Sequence, residues 1–176
     1  HMEYTDIPEP QVTGDLVTIK IAYSGICGTD IHAMRGTYPS TKPPVVLGHE
    51  FSGVVVAVGE NVRNIHVGDR VTSETTYETC GSCHYCHTGD LNLCGTRRGV
   101  GTNVNGSMAE YIVNHEARIH VLPENVSLLA AALTEPLACG VHAVIERGHV
   151  HKGDIVCVFG AGAIGQMVAQ VAHACG

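Results

Sequence analysis

The chain has 176 residues, a formal net charge of −7 and a hydrophobic fraction of 44%, enough for one domain with a core and part of a second. No basic cluster exceeds the pair Arg97 and Arg98, and no apolar run approaches a membrane span, so neither nucleic acid nor a membrane is an expected partner. Eight cysteines without a recognisable secretory signal favour metal binding or reduced thiols over disulfides, and a cytoplasmic location.

The first part of the chain predicts a turn-rich β domain. Runs of β-branched residues predict strands over residues 16–23, 51–58, 67–71, 108–113 and 119–122. A glycine-flanked turn, residues 24–32, follows the first strand and is dense in groups that bind metals or transfer protons. Residues 75–106 show no hydrophobic periodicity, which predicts a loop. A loop of that length in a compact domain usually is held by a cross-link or a bound metal, or has a function.

Helices and one further strand are predicted for the second part. Residues 128–145 are apolar and rich in alanine, which predicts a helix capped by Ser127, and Pro136 should kink it or start a new one. The short apolar run 155–159 predicts a buried parallel strand, followed by a glycine-rich turn and an amphipathic helix. We expect the cysteines in these apolar elements to be core residues: Cys139, Cys157 and Cys175.

Four closely spaced cysteines predict a structural zinc site: Cys80, Cys83, Cys86 and Cys94. Four thiolates complete a tetrahedral shell and leave no open position for chemistry. An iron–sulfur cluster is the nearest alternative, but ferredoxins continue with a three-residue gap and Cys-Pro, whereas Gly95 follows Cys94 here. His84 and His87 lie between the ligands and are expected to face solvent.

The pair His49–Glu50 lies inside an apolar run, where burying an ionised carboxylate is costly unless a cation compensates it. A divalent metal would provide that charge. Cys27 is the nearest upstream thiol and can reach the pair only through the fold. Each of these residues taken alone is as well explained as an ordinary core residue.

Several motifs together resemble the zinc alcohol dehydrogenases of the medium-chain dehydrogenase/reductase family. The run from Gly48 through Gly53 and Gly59 to Val62 resembles the zinc signature, and residues 27–32 resemble the turn with the first zinc ligand. The four-cysteine segment is similar to that family's structural zinc site, and residues 160–165 to its dinucleotide fingerprint. Residues 134–138 resemble the sorbitol, polyol and threonine dehydrogenase branch.

The resemblance implies a mainly β, GroES-like barrel catalytic domain with helices over residues 1–147. It also implies the first βα unit of an α/β Rossmann domain over residues 148–176. Relative to this family, the chain is expected to lack the first strand and most of the cofactor domain, and therefore to be inactive alone. The parent enzyme would be a homo-oligomer.

The resemblance also implies a catalytic zinc ion with four candidate ligands: Cys27, His49, Glu50 and Glu135. Which carboxylate binds zinc directly is left open. By the same resemblance Thr29 lies near the alcohol oxygen, His32 receives the proton through the cofactor ribose, and Asp30 orients His49. Each of these three could instead be an ordinary turn or surface residue.

The implied cofactors are two zinc ions per chain and NAD(P), the latter bound by the glycine-rich turn: Gly160, Gly162, Ala163, Ile164 and Gly165. The acidic residue that would distinguish NAD from NADP would lie beyond Gly176. The expected reaction is hydride transfer from a secondary alcohol of a polyol, sugar or similar small molecule. An L-threonine-type amino alcohol dehydrogenase and an inactive zinc-binding module are the alternatives.

Overall fold

The computed structural model describes residues 2–176, which separate into two compact units. The first ends at Ala132, and the second runs from Leu133 to Gly176. The second unit is compact because it contains a helix pair, in which the absence of a side chain at Gly140 lets one helix approach the backbone of Met167. The domain boundary expected after residue 147 stays a prediction.

The first unit consists mainly of antiparallel strands. Its seven strands are β1 (Leu16–Ser24), β2 (Phe51–Val58), β3 (Arg70–Ser73), β4 (Thr76–Glu78), β5 (Arg98–Gly99), β6 (Tyr111–His115) and β7 (Ile119–Val121). Five of them form a sheet in the order β6-β1-β2-β3-β7, and β4 pairs with β5. Within the described residues the large sheet is open, because its edge strands β6 and β7 do not pair with each other. The expectation of a mainly β domain is confirmed.

Helices are short in the first unit and longer in the second. They are α1 (Gly28–Met34), α2 (His84–Thr88), α3 (Leu128–Ala131), α4 (Thr134–Val141) and α5 (Ala163–Ala174), with two 3₁₀ helices, Leu91–Leu93 and Glu116–Arg118, and a π-helix over His142–Arg147. Ser127 caps α3 as predicted, since its hydroxyl accepts the Ala130 N–H at 3.1 Å. Pro136 lies in the first turn of α4, so the predicted long helix is divided near it. None of the helices in residues 2–176 is long and apolar enough to cross a bilayer.

The core of the first unit lies between the large sheet and the segments that cover it. It contains nine buried apolar residues: Val17, Ile19, Phe51, Val55, Ile65, Val71, Val100, Ile112 and Ile119. Most of them belong to β1, β2 and β3, whose alternating side chains point to the same face. This core fixes the two chain segments that carry the candidate ligands, because Cys27 follows β1 and His49–Glu50 precedes β2.

Residues 155–159 do not form the buried parallel strand that their apolar sequence predicts. Ile155 is fully exposed and Phe159 is 95% exposed. A strand needs a neighbour for its backbone hydrogen bonds, and no segment of residues 2–176 pairs with this run. Cys157 lies in this run and is therefore exposed. Of the other two cysteines predicted to be in the core, Cys139 is exposed and Cys175 is half-buried. The assignment of Cys139 and Cys157 to the core is wrong.

Thr18 is a buried residue of β1 whose hydroxyl has no hydrogen-bond partner among the described residues. It is 2% exposed, so its hydroxyl has lost water without replacement. Valine keeps the branched shape and removes the polar atom. We expect Thr18→Val to raise the free energy of unfolding by about 1 kcal/mol, measured by denaturant titration.

Thr72 in β3 is the matched control, because it is also buried but its hydroxyl donates to the Phe51 carbonyl at 2.8 Å. Thr72→Val should lower the free energy of unfolding by about 1 kcal/mol, since that bond is lost. A destabilised Thr18→Val variant would contradict the assignment of Thr18 as an unpaired group.

Candidate functional site

The four cysteines of the long loop converge on one point. Their sulfur atoms lie within 4.8 Å of one another. The Sγ–Sγ distances are 3.5 Å for Cys83–Cys86, 3.7 Å for Cys80–Cys94 and 3.8 Å for Cys80–Cys86. A tetrahedron with Zn–S bonds of about 2.3 Å has edges of about 3.8 Å, whereas a disulfide brings two sulfurs to about 2.05 Å. The group therefore fits a zinc ion and not a pair of disulfides.

The backbone around these sulfurs stabilises negative charge. The Cys83 N–H donates to Cys80 Sγ at 3.3 Å, and the Cys80 N–H lies 3.5 Å from Cys94 Sγ. Hydrogen bonds from the Ser82 amide and hydroxyl, and then from Cys83, lower the pKa of the Cys80 thiol to about 5. The Cys80 amide and Thr96 likewise lower the pKa of Cys94. These two thiols therefore lose a proton more readily than a free cysteine, and the thiolate is the form that binds a cation.

Cys83 behaves differently in the absence of a cation. The Cys86 amide lowers its pKa, but burial and the hydrogen bonds among the neighbouring sulfurs outweigh that effect and raise the pKa to about 11. Four adjacent sulfurs thus cannot all ionise unless a cation compensates their charge. His84 and His87 are exposed, as predicted.

Cys27, His49 and Glu50 form a second group, in which one sulfur, one imidazole nitrogen and one carboxylate oxygen lie within 4.8 Å of one another. Glu50 is 9% exposed, and Cys27 and His49 are half-buried. Sulfur, nitrogen and oxygen donors at three positions fit a zinc site that keeps an open position, and the partly exposed thiol and imidazole provide access.

Asp30 connects the two chain segments of this group. Its Oδ2 accepts the Cys27 N–H at 2.9 Å, its Oδ1 accepts the Gly48 N–H at 3.1 Å, and Oδ1 lies 3.4 Å from His49 Nδ1. The hydrogen bond with Asp30 raises the pKa of His49 to about 9 against the opposing effect of burial. Burial raises the pKa of Asp30, but its bonds with His49 and the backbone amides lower it overall. With Nδ1 facing Asp30, Nε2 is left for a metal.

A backbone ladder joins residues 46–48, which directly precede His49, to residues 106–108. The N–H groups of Gly106, Ser107 and Met108 donate to the carbonyls of Val46, Gly48 and Leu47 at 2.8, 3.0 and 2.9 Å respectively. Gly48 has a φ of +94°, and a methyl group there would lie 2.6 Å from Ser107 Oγ. A methyl group at Gly106 would overlap the Gly48 carbonyl oxygen, so this close backbone approach requires glycine at both positions.

The remaining predicted site residues are distributed over both units. Thr29 and His32 lie on α1, Thr29 half-buried and His32 exposed with Nδ1 3.1 Å from Thr37 Oγ1. Glu135 lies in the first turn of α4 in the second unit. Within the first unit, the structure therefore brings together Cys27, His49, Glu50 and Asp30.

The glycine-rich turn of the second unit leads into α5. Gly160 has a φ of +96°, and a methyl group at Gly165 would overlap the Gly160 carbonyl oxygen. A methyl group at Gly160 or Gly162 would meet no atom within 4 Å, so the outer side of the turn is open. Gly162 caps α5, and Ala163 and Ile164 are its first two residues. The open turn and the N-terminus of a 12-residue helix fit a pyrophosphate group.

Residues 13–124 match the family model of the alcohol dehydrogenase GroES-like domain. The chain is 50% identical over 175 residues to D-arabitol-phosphate dehydrogenase of Enterococcus avium, covering 99% of this chain and 50% of that protein. It is 49% identical over 176 residues to sorbitol dehydrogenase of Halalkalibacterium halodurans, covering 100% of this chain and 51% of the other. L-threonine 3-dehydrogenase of Yersinia pestis is 41% identical over 170 residues, covering 95% and 49%.

A solved structure of a dehydrogenase also resembles this chain in fold and sequence. The protein, from Sinorhizobium meliloti 1021, is provisionally identified as a zinc-binding dehydrogenase and was solved bound to NADP. It superimposes with a TM-score of 0.89 at 39% identity, over 98% of this chain and 49% of that one. The chain thus spans about half the length of the relatives it matches.

Proposed function

Because the chain belongs to the alcohol dehydrogenase family with a GroES-like domain, we propose that the protein is a zinc-dependent NAD(P) oxidoreductase. Its reaction would be oxidation of a secondary alcohol of a polyol or sugar by hydride transfer. The observation that carries this proposal is the convergence of Cys27, His49 and Glu50 on one point, supported by Asp30. The four-thiol group, with no open position, takes the structural role.

Four residues would hold the catalytic zinc: Cys27, His49, and the carboxylates of Glu50 and Glu135, one or both of them directly. When bound there, zinc would act as a Lewis acid that eases loss of the alcohol's proton. Asp30 would keep His49 in one tautomer and one orientation, since its carboxylate faces Nδ1.

The proton would leave through the polar residues of α1. Thr29, half-buried in the first turn of that helix, would accept a hydrogen bond from the alcohol hydroxyl and pass the proton on. His32 is exposed and next to Thr37, so it can exchange a proton with water. The turn at Gly160–Gly165 and the N-terminus of α5 would bind the pyrophosphate of NAD(P), and the fingerprint includes Ala163 and Ile164.

Two relatives support a polyol substrate, one named for a polyol phosphate and one for sorbitol. The threonine dehydrogenase relative makes an amino alcohol the second candidate. The test is an assay of the full-length natural protein that contains these residues. Reduction of NAD⁺ or NADP⁺ is followed by the absorbance of NADH or NADPH, with sorbitol, arabitol phosphate and L-threonine as substrates. We expect the wild-type protein to oxidise a polyol and the His49→Ala variant to lose this activity. Bound zinc without turnover of any alcohol would instead favour a zinc-binding module.

A further inference from the structure

We infer that Gly25 positions the Glu50 carboxylate by leaving open the space that this carboxylate occupies. The inference rests on the proposed metal site, in which Glu50 is a ligand. Gly25 is two residues before Cys27 in the chain, so a single turn carries one candidate ligand and determines where another lies. It would be a positioning residue, because it acts on the metal through Glu50.

The contact between the two residues is close along the whole Glu50 side chain. A methyl group added at Gly25 would overlap Glu50 Oε2 and would lie 3.1 Å from its Cβ and 3.4 Å from its Cδ. The backbones are also joined, since the Gly25 N–H donates to the Glu50 carbonyl at 2.7 Å. The side chain therefore lies over the bare Cα of Gly25, and a larger residue would displace it.

Space, and not backbone conformation, is what Gly25 provides. Its φ lies outside the left-handed region, so alanine can adopt the same backbone without strain. The backbone of Glu50 cannot easily retreat, because the next residue, Phe51, pairs with Ser24 in the ladder between β1 and β2. The carboxylate end is the part that is free to move, and its displacement would change the geometry of the group that it forms with Cys27 and His49.

Gly28 offers a matched control in the same turn. A methyl group there would meet no atom within 4 Å, and its φ is also outside the left-handed region. Gly28→Ala adds the same atom, three residues along the chain, without touching Glu50. A general intolerance of the turn to alanine would affect both variants, whereas displacement of Glu50 would affect only Gly25→Ala.

The experiment is zinc titration against a colorimetric chelator, with His49→Ala identifying the zinc that belongs to the dispersed site. We expect Gly25→Ala to weaken zinc binding at this site roughly 10- to 100-fold, the effect typical of residues that orient a metal ligand. The four-cysteine site should keep its zinc, and Gly28→Ala should bind zinc like the wild type. Equal affinities for Gly25→Ala and Gly28→Ala would overturn the inference.

A double-mutant cycle separates this inference from the proposed function. If Gly25 acts through Glu50, adding Gly25→Ala to Glu50→Ala should cause no further loss of affinity, because the displaced group is already absent. An additional loss in the double variant would contradict the inference. If Glu50→Ala alone leaves zinc affinity unchanged, Glu50 is not a ligand, and that part of the proposed function fails together with the inference. Should Gly25→Ala fold poorly, the double variant should fold better than Gly25→Ala, since the overlap with Oε2 is relieved and only the 3.1 Å contact with Cβ remains; equally poor folding of the two variants would also overturn the inference.

Discussion

Replacing Cys94 with serine is expected to abolish zinc binding by the four-cysteine group and to destabilise the first unit. Cys94 is the most buried of the four, at 6% exposure, and its sulfur lies 3.7 Å from that of Cys80. Structural zinc sites contribute roughly 10–16 kcal/mol of apparent binding free energy, which is also folding free energy. We expect losses above about 4 kcal/mol in the free energy of unfolding. Thermal melting with a parallel zinc assay measures both effects.

Cys157→Ser provides the control for the loss of a thiol. Cys157 is exposed and lies outside both groups of candidate ligands. This variant should have the same melting temperature as the wild type and bind the same amount of zinc. Equal melting temperatures for Cys94→Ser and the wild type would count against a structural metal in the loop.

A comparably large effect is expected from Gly53→Ala in β2. A methyl group at Gly53 would overlap the Lys20 carbonyl oxygen and lie 2.6 Å from Ile19 Cγ2. Ile19 is fully buried, and the Lys20 carbonyl belongs to the paired strand β1, so neither group can move without disturbing the core. Overpacking of this kind costs about 3 kcal/mol, measured here as the shift of the denaturant midpoint.

Gly28→Ala again serves as the comparison, because its added methyl group meets no atom within 4 Å. Its free energy of unfolding should stay close to the wild-type value. If Gly53→Ala proves equally neutral, the two strands do not approach as closely at this point as the structure indicates. The expected difference would show that this signature glycine is required for the packing of β1 on β2.

Local patterns were sufficient to predict much of the first unit. The predicted strands over 16–23 and 51–58 match Leu16–Ser24 and Phe51–Val58 closely, because alternation and β-branching are properties of the segment itself. The four-cysteine group was predictable for the same reason, since its ligands lie within one loop. Convergence of Cys27 with His49 and Glu50 depends on strand pairing and followed only from the family resemblance.

Features that depend on distant backbone were not predictable. The ladder from Gly106 to Met108 and the fit of Glu50 against Gly25 involve segments far apart in the chain, and no local pattern marks such an approach. The run 155–159 shows the opposite failure. Its composition predicts burial, but burial of a strand requires neighbouring strands, and the described residues contain none beside it.

The most direct test of the proposed catalytic zinc is elemental analysis of the purified chain and of its His49→Ala and Cys94→Ser variants. Two separate ligand groups predict two zinc ions per chain in the wild type. His49→Ala should retain the zinc of the four-cysteine group and lose the other. A single zinc ion in the wild type, unchanged by His49→Ala, would contradict a metal at Cys27, His49 and Glu50. Cys94→Ser should lose the metal of the four-cysteine group. If the metal lost in this variant is iron and not zinc, the assignment of a structural zinc ion is wrong.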